Sequence, residues 1–101
     1  MSLDVLEGKV LEWAEQKGIL EANEPDAQLD KFEEECWEFI EACCLEHFDE
    51  VQKEGGDVIV TLIINLHLRG SSLSQALQAA YDKISKRKGT MVDGVFVKEG
   101  D

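Results

Sequence analysis

Proline is almost missing from this chain: Pro25 is the only one among 101 residues. Because proline breaks helix interiors, its scarcity leaves room for long helices. The glycines Gly18, Gly55-Gly56, Gly70, Gly89 and Gly94 mostly suit element ends. Cysteine is scarce and unpatterned. Cys36, Cys43 and Cys44 are odd in number and lack C-x-x-C spacing, which argues against a disulfide framework and against a zinc site with His47 or His67. Free, buried thiols in a reducing cytoplasm are expected. No basic stretch precedes a long apolar one at Met1-Ser2-Leu3-Asp4, so no secretory signal is expected and the protein is read as cytoplasmic. The longest apolar run, Val58 to Leu68, is broken by Thr61, Asn65 and His67, and a bilayer span needs about 20 residues. Bases are few as well. Ten Lys and Arg against 22 Asp and Glu leave a net charge of −12, which disfavours nucleic acid polymers and anionic membranes as partners.

What remains is enough for one domain over residues 1–101, with 44% apolar residues for a core. The charge is lopsided. Residues 1–57 carry 18 acids and 4 bases, whereas residues 58–101 carry 4 acids and 6 bases. An acid-rich half can hold cations, and a mildly basic half can hold the anion those cations bind.

Four helices are expected. In residues 3–17, Leu3, Leu6, Val10 and Ala14 recur at helical spacing and Gly18 suits the C-terminal cap. Residues 19–27 read as a polar connection. Across about 26–47, Leu29, Phe32, Cys36, Phe39, Ile40 and Cys43 make one apolar stripe. Lys31, Glu35, Glu38 and Ala42 border that stripe, and Asp30, Glu34 and Glu41 point to water. In the third segment, about 49–69, Val58 to Ile64 is β-branched enough for a strand, but its length favours helix. Its only polar strip is Glu54, Asp57, Thr61 and Asn65, so self-association is expected to cover the rest. Gly55-Gly56 inside it would cost about 1 kcal/mol each, offset by close approach of a partner helix or a ligand.

The fourth helix is expected from Ser71 or Ser72 to Lys88, with Leu73, Leu77, Ala80 and Ile84 apolar and Lys83, Lys86, Arg87 and Lys88 at its end. Asp93-Gly94 between Thr90-Met91-Val92 and Val95-Phe96-Val97 then marks a short hairpin or an arm. The fold class is all-α: a four-helix bundle with a short C-terminal hairpin or arm, completed by oligomerisation.

Two carboxylate pairs carry the chemistry: Glu35-x-x-Glu38 and Glu54-x-x-Asp57. Residues three apart on a helix lie about 5–6 Å apart at Cβ, so each pair can share an ion. Across an antiparallel helix pair they converge four carboxylates, which suits hard divalent cations such as Mg²⁺. Mg²⁺ keeps waters and recruits phosphate oxygens, and Lys83-x-x-x-Arg87 supplies bases one helix later. A di-iron carboxylate bundle would want E-x-x-H on two helices, and none exists; an EF-hand loop is absent too. Trp13 and Trp37 each suit core or interface packing; of the two, Trp13 is preferred as a base-stacking surface.

At these residues the chain resembles the MazG-like all-α nucleoside triphosphate pyrophosphohydrolases, most closely their small phage-type or stand-alone members. Lys31-Phe32-Glu33-Glu34-Glu35-Cys36-Trp37-Glu38 looks like that family's K-x-x-E-E-x-x-E helix. Glu54-Gly55-Gly56-Asp57, with 15 residues between Glu38 and Glu54, looks like its E-x-G-D element, and Lys83 to Arg87 matches its K-x-x-x-R. Many relatives carry Asn where Tyr81 stands. The resemblance implies Mg²⁺-dependent hydrolysis of an NTP or dNTP to the monophosphate and pyrophosphate, serving nucleotide-pool house-cleaning, with Mn²⁺ as a substitute ion. It implies that Glu35, Glu38, Glu54 and Asp57 ligate metal, that Lys31, Lys83 and Arg87 hold phosphate, and that Glu34 or Glu38 accepts the water's proton. A homodimer or homotetramer is expected. Phosphoribosyl-ATP pyrophosphohydrolase shares this chemistry. The contrasting reading is a non-catalytic helical interaction or regulatory protein that retains a cation site.

Overall fold

A computed structural model describes residues 1–100. It contains five helices, α1 (Leu3–Gln16), α2 (Ile19–Ala22), α3 (Pro25–Cys44), α4 (Phe48–Leu68) and α5 (Leu73–Ile84), then strands β1 (Gly89–Val92) and β2 (Val95–Lys98). The expected all-α fold with a C-terminal hairpin is present, with one more helix than the periodicity indicated. The supposed polar connection at 19–27 holds the single turn α2 and the start of α3. Four residues are too few to display a helical period, so that turn left no signal in the sequence.

Local chemistry sets the boundaries. Ser2 caps α1 by accepting from the Val5 amide at 3.2 Å. Gly18 follows the α1 cap with φ of +79°, a left-handed conformation that glycine adopts without strain, and its amide donates to the Glu15 carbonyl. Pro25 opens α3, where its missing N–H costs nothing. Ser72 caps α5 through the Gln75 amide at 3.1 Å, and the buried Glu7 carboxylate accepts from the Leu73 amide at 2.8 Å, tying α5 to α1. α5 stops at Ile84, so only Lys83 lies in its last turn, and Lys86, Arg87 and Lys88 fall beyond it. Asp93 and Gly94, at φ +50° and +80°, make the tight turn that pairs Val92 with Val95 and Gly89 with Lys98 in antiparallel register.

The main packing is α3 against α4, with α1 laid across α4. Two contacts establish that α3 and α4 run antiparallel. Asn65 Nδ2 donates to the Gln28 carbonyl at 2.9 Å, and a side chain at Gly55 would meet the Phe39 ring at 3.4 Å. Gly55 therefore has the close neighbour expected for it, whereas Gly56 has nothing within 4 Å.

The inward face of α3 combines stripe and row: Phe32, Cys36 and Phe39 of the stripe are half-buried, with Phe39 against Gly55 of α4. The buried residues of α3 are Glu35 and Ala42, while Leu29, Ile40 and Cys43 on the apolar stripe are exposed. On α4 the buried set is Thr61, Ile63, Ile64 and Asn65. The polar rows thus face each other, because Asn65 satisfies its amide on Thr61 and Gln28 carbonyls and accepts Arg69 at 3.0 Å. A further consequence corrects the cysteine expectation: all three are free, but Cys43 and Cys44 are exposed and Cys36 is half-buried. No helix among the described residues is long and apolar enough to cross a membrane.

The chain leaves much apolar surface open. α5 buries no residue, and Leu77, Tyr81 and Ile84 on it are exposed, as are Met91, Val95, Phe96 and Val97 on the hairpin. Its radius of gyration is 16.1 Å, against about 13 Å for a compact chain of this length.

Candidate metal centre

Glu35 is the hub of the centre. It lies on the inward face of α3 at 7% exposure. One oxygen, Oε1, takes the Lys31 ammonium at 3.1 Å, and the other, Oε2, is buried without a hydrogen-bond partner. Two carboxylate groups meet there. In one, Glu34, Glu35 and Glu38 bring oxygens within 4.8 Å of one another, and in the other Glu35, Glu54 and Asp57 do the same. The antiparallel packing of α3 on α4 makes this possible, by setting the i, i+3 pair of each helix across one groove. Glu54 adds a second buried oxygen, Oε2, with no donor.

A buried polar atom without a partner costs about 1–3 kcal/mol, more when charged. Carboxylates alone cannot relieve one another. The donor set is all oxygen and strongly anionic, so it fits a hard divalent cation. The local electrostatics agree. Lys31 is raised above its usual 10.5, first by its hydrogen bond to Glu35 and then by that to Glu34. The Glu38 carboxyl is raised above its usual 4.5, chiefly by hydrogen bonding with Glu35 and by that neighbour's negative charge, with smaller contributions from burial and Glu54. Like charges crowd here with one lysine between them.

A cleft of about 470 Å³ opens beside the centre. Lys31, Glu35 and Asp57 line its charged end, and Trp13, Ile19, Ala27, Val60 and Ile64 line its apolar end, joined by Gln28 and Thr61. A second cleft of about 370 Å³ adjoins along Trp13, Asp57 and Val60. Trp13 therefore lines the cleft that Glu35 and Asp57 also line, whereas Trp37 lies 63% exposed on the opposite side of the α3 stripe.

Of the residues singled out from sequence, Lys31, Glu34, Glu35, Glu38, Glu54, Asp57 and Trp13 come together. Lys83 and Arg87 do not. They line a separate cleft of about 470 Å³ with Lys86, Lys88, Lys98 and Glu99, which shares no residue with the carboxylate centre. Among the described residues, the hydrogen bonds that tie α5 to α1 lie at its start, from the Leu73 amide to Glu7 and from Ser74 Oγ to Asp4 at 3.0 Å, far from Lys83. Gln28 went unnoticed in the sequence. The same helical arithmetic would have found it, three residues before Lys31 and seven before Glu35.

Compared with known proteins, residues 23–92 match the family pattern of the MazG nucleotide pyrophosphohydrolase domain. That span takes in α3, α4, α5 and β1, and so every carboxylate of the centre. Neither the curated proteins nor the solved structures gave a significant match.

Proposed function

The chain belongs to the MazG nucleotide pyrophosphohydrolase domain family, and from that premise we propose that it hydrolyses a nucleoside or deoxynucleoside triphosphate to the monophosphate and pyrophosphate, with Mg²⁺ as cofactor and Mn²⁺ as a working substitute. One observation carries the reading: Glu35 Oε2 and Glu54 Oε2 are buried without donors inside three-carboxylate groups. A merely solvated charge run leaves its oxygens in water, so the burial favours a cation site; a regulatory protein that retains such a site would bury them too, and pyrophosphate release separates it from the enzyme.

Glu35, Glu38, Glu54 and Asp57 would hold the metal, with Glu35 common to both groups. Bound Mg²⁺ supplies neutralisation of polyphosphate charge and acidification of water. The residues of the chain do the rest. Lys31, half-exposed at the cleft's charged end, exchanges a carboxylate for a phosphate oxygen as a point charge. Trp13 offers a flat apolar face to the base. Water adds across the α–β phosphoanhydride bond, which breaks, and Glu34 or Glu38 accepts the proton. Both are exposed, so water reaches them. Removal of unwanted nucleotides from the cellular pool is the role such an activity serves.

Lys83 and Arg87 reach the phosphates only from another chain, and we assign the protein a homodimer or homotetramer that brings the α5 end of one copy to the carboxylates of the next. Accessible surface supports this. The chain exposes 7714 Å², whereas a compact 11.3 kDa monomer exposes about 5,700 Å². An excess of about 2,000 Å² per chain amounts to about 4,000 Å² in a dimer, which lies in the range of obligate interfaces.

The test is pyrophosphate release from a panel of NTPs and dNTPs with Mg²⁺, using the unsubstituted chain, Glu38→Gln and Asp57→Asn. Turnover by the first alone supports the reading. Turnover retained in either variant, or none in any chain, refutes it.

A further inference from the structure

We infer that Gln28 reads the nucleobase, as the residue that sets which nucleotide the cleft prefers; this rests on the nucleotide hydrolase reading above. Three observations converge. Position is the first. Gln28, Lys31 and Glu35 share one face of α3, and seven residues of helix place Gln28 about 10 Å along the axis from Glu35. That is the separation a nucleotide spans between its phosphate and the outer edge of its base. With phosphates at Glu35 and Lys31, the base edge falls at Gln28, and Trp13 lines the same cleft.

Chemistry is the second. The far end of the cleft is otherwise apolar, through Ile19, Ala27, Val60 and Ile64. Thr61 also lines the cleft, but its hydroxyl proton goes to the Val58 carbonyl at 2.8 Å, which leaves it an acceptor only. The Gln28 side chain makes no hydrogen bond among the described residues, and its amide offers both donors and an acceptor. A half-buried amide in apolar surroundings is matched by a ligand edge that pairs an adjacent donor and acceptor, as nucleobases do.

Anchoring is the third. The Gln28 carbonyl receives the buried Asn65 side chain at 2.9 Å. Arg69 braces Asn65 at 3.0 Å and reaches the Pro25 carbonyl at 3.4 Å. The first turn of α3 is thereby clamped to α4, which fixes where the Gln28 amide can reach. Recognition at a site depends on such placement, because a mispaired polar group left in the cleft penalises the wrong base.

The experiment measures kcat and KM for four dNTPs with the unsubstituted chain, Gln28→Leu and Gln28→Glu, alongside thermal midpoints. Gln28→Leu is expected to lose about tenfold in kcat/KM on the preferred nucleotide, the value of one neutral hydrogen-bonded pair. The loss falls on KM, and the spread between best and worst base contracts. Gln28→Glu keeps the shape but only accepts, so its ranking shifts toward a base with two adjacent donors, such as guanine through N1–H and N2–H. An active Gln28→Leu chain whose base ranking and spread stay within twofold overturns the inference alone, as does an unshifted ranking in Gln28→Glu. Silence of the unsubstituted chain on every nucleotide sinks the parent reading and this one with it.

Discussion

Replacing Glu35 by Gln should make the metal-free protein more stable while removing its response to Mg²⁺. The carboxylate is 7% exposed, one oxygen has no donor, and Glu34, Glu38, Glu54 and Asp57 place oxygens within 4.8 Å in two groups that share it. Two like charges at that separation repel by about 0.9 kcal/mol in bulk water and about 3.5 kcal/mol at an effective dielectric of about 20. Against this stands the Lys31 ion pair at 3.1 Å, whose lysine is 49% exposed and which contributes about 0–1 kcal/mol. The neutral amide keeps the shape, can still accept from Lys31, and offers N–H donors to neighbouring carboxylates, among them the partnerless Glu54 Oε2. A net gain of about 2 kcal/mol follows, or roughly 8–16 °C in thermal midpoint for a domain of this size. The unsubstituted chain should instead gain about 2.7 kcal/mol once Mg²⁺ exceeds its Kd by about 100-fold. Thermal unfolding at equal chain concentration, in chelator and in Mg²⁺, reads both effects. A metal-free Glu35→Gln chain less stable than its parent would refute the reasoning, since the carboxylate would then be satisfied without a cation.

Gly56→Ala should stabilise the chain by about 1 kcal/mol in urea unfolding, because the position is helical and a Cβ there meets nothing within 4 Å; a loss instead would place a second copy's helix against it. Metal-free stability should fall as pH rises above 4.5 through the raised folded value of Glu38, since the folded state holds that proton more tightly than the unfolded chain does. Saturating Mg²⁺ or Glu38→Gln should flatten that decline, and melts from pH 4.5 to 7 that fall equally in all three cases would contradict it. Mixing inactive Glu38→Gln and Arg87→Ala chains should restore about a quarter of the parent's pyrophosphate release by random pairing, because one site per mixed dimer regains both groups. No recovery after verified subunit exchange would refute the contribution of Arg87 across the interface, and an Arg87→Ala chain active by itself would place Arg87 outside the site.

Much of this was readable along the chain because it depends on local chemistry. The Gly18 stop, the Ser72 cap and the Asp93-Gly94 turn each follow from backbone preferences of single residues, and all three occur where the sequence pointed. The carboxylate pairs were legible for a similar reason: a spacing of three on a helix fixes one face whatever surrounds it. The three-element resemblance, and with it the family, came from the same short-range spacing.

Which face of each helix turns inward was a different matter. Helical periodicity places the Glu35–Ala42 row beside the apolar stripe of α3, but adjacency on a cylinder does not say which row meets the neighbour. Contacts such as Asn65 with the Gln28 carbonyl, 37 residues apart, decided that. They turned Glu35 and Ala42 inward and left Leu29, Ile40 and Cys43 open, while Trp13 came to the cleft beside Glu35 and Asp57 and Lys83 and Arg87 to a cleft of their own. The sequence by itself determined the helices, the carboxylate spacing and the family, since each rests on neighbours within a turn. Tertiary structure alone determined which carboxylates are buried without partners, because burial is a property of the elements packed around a residue and not of the residue.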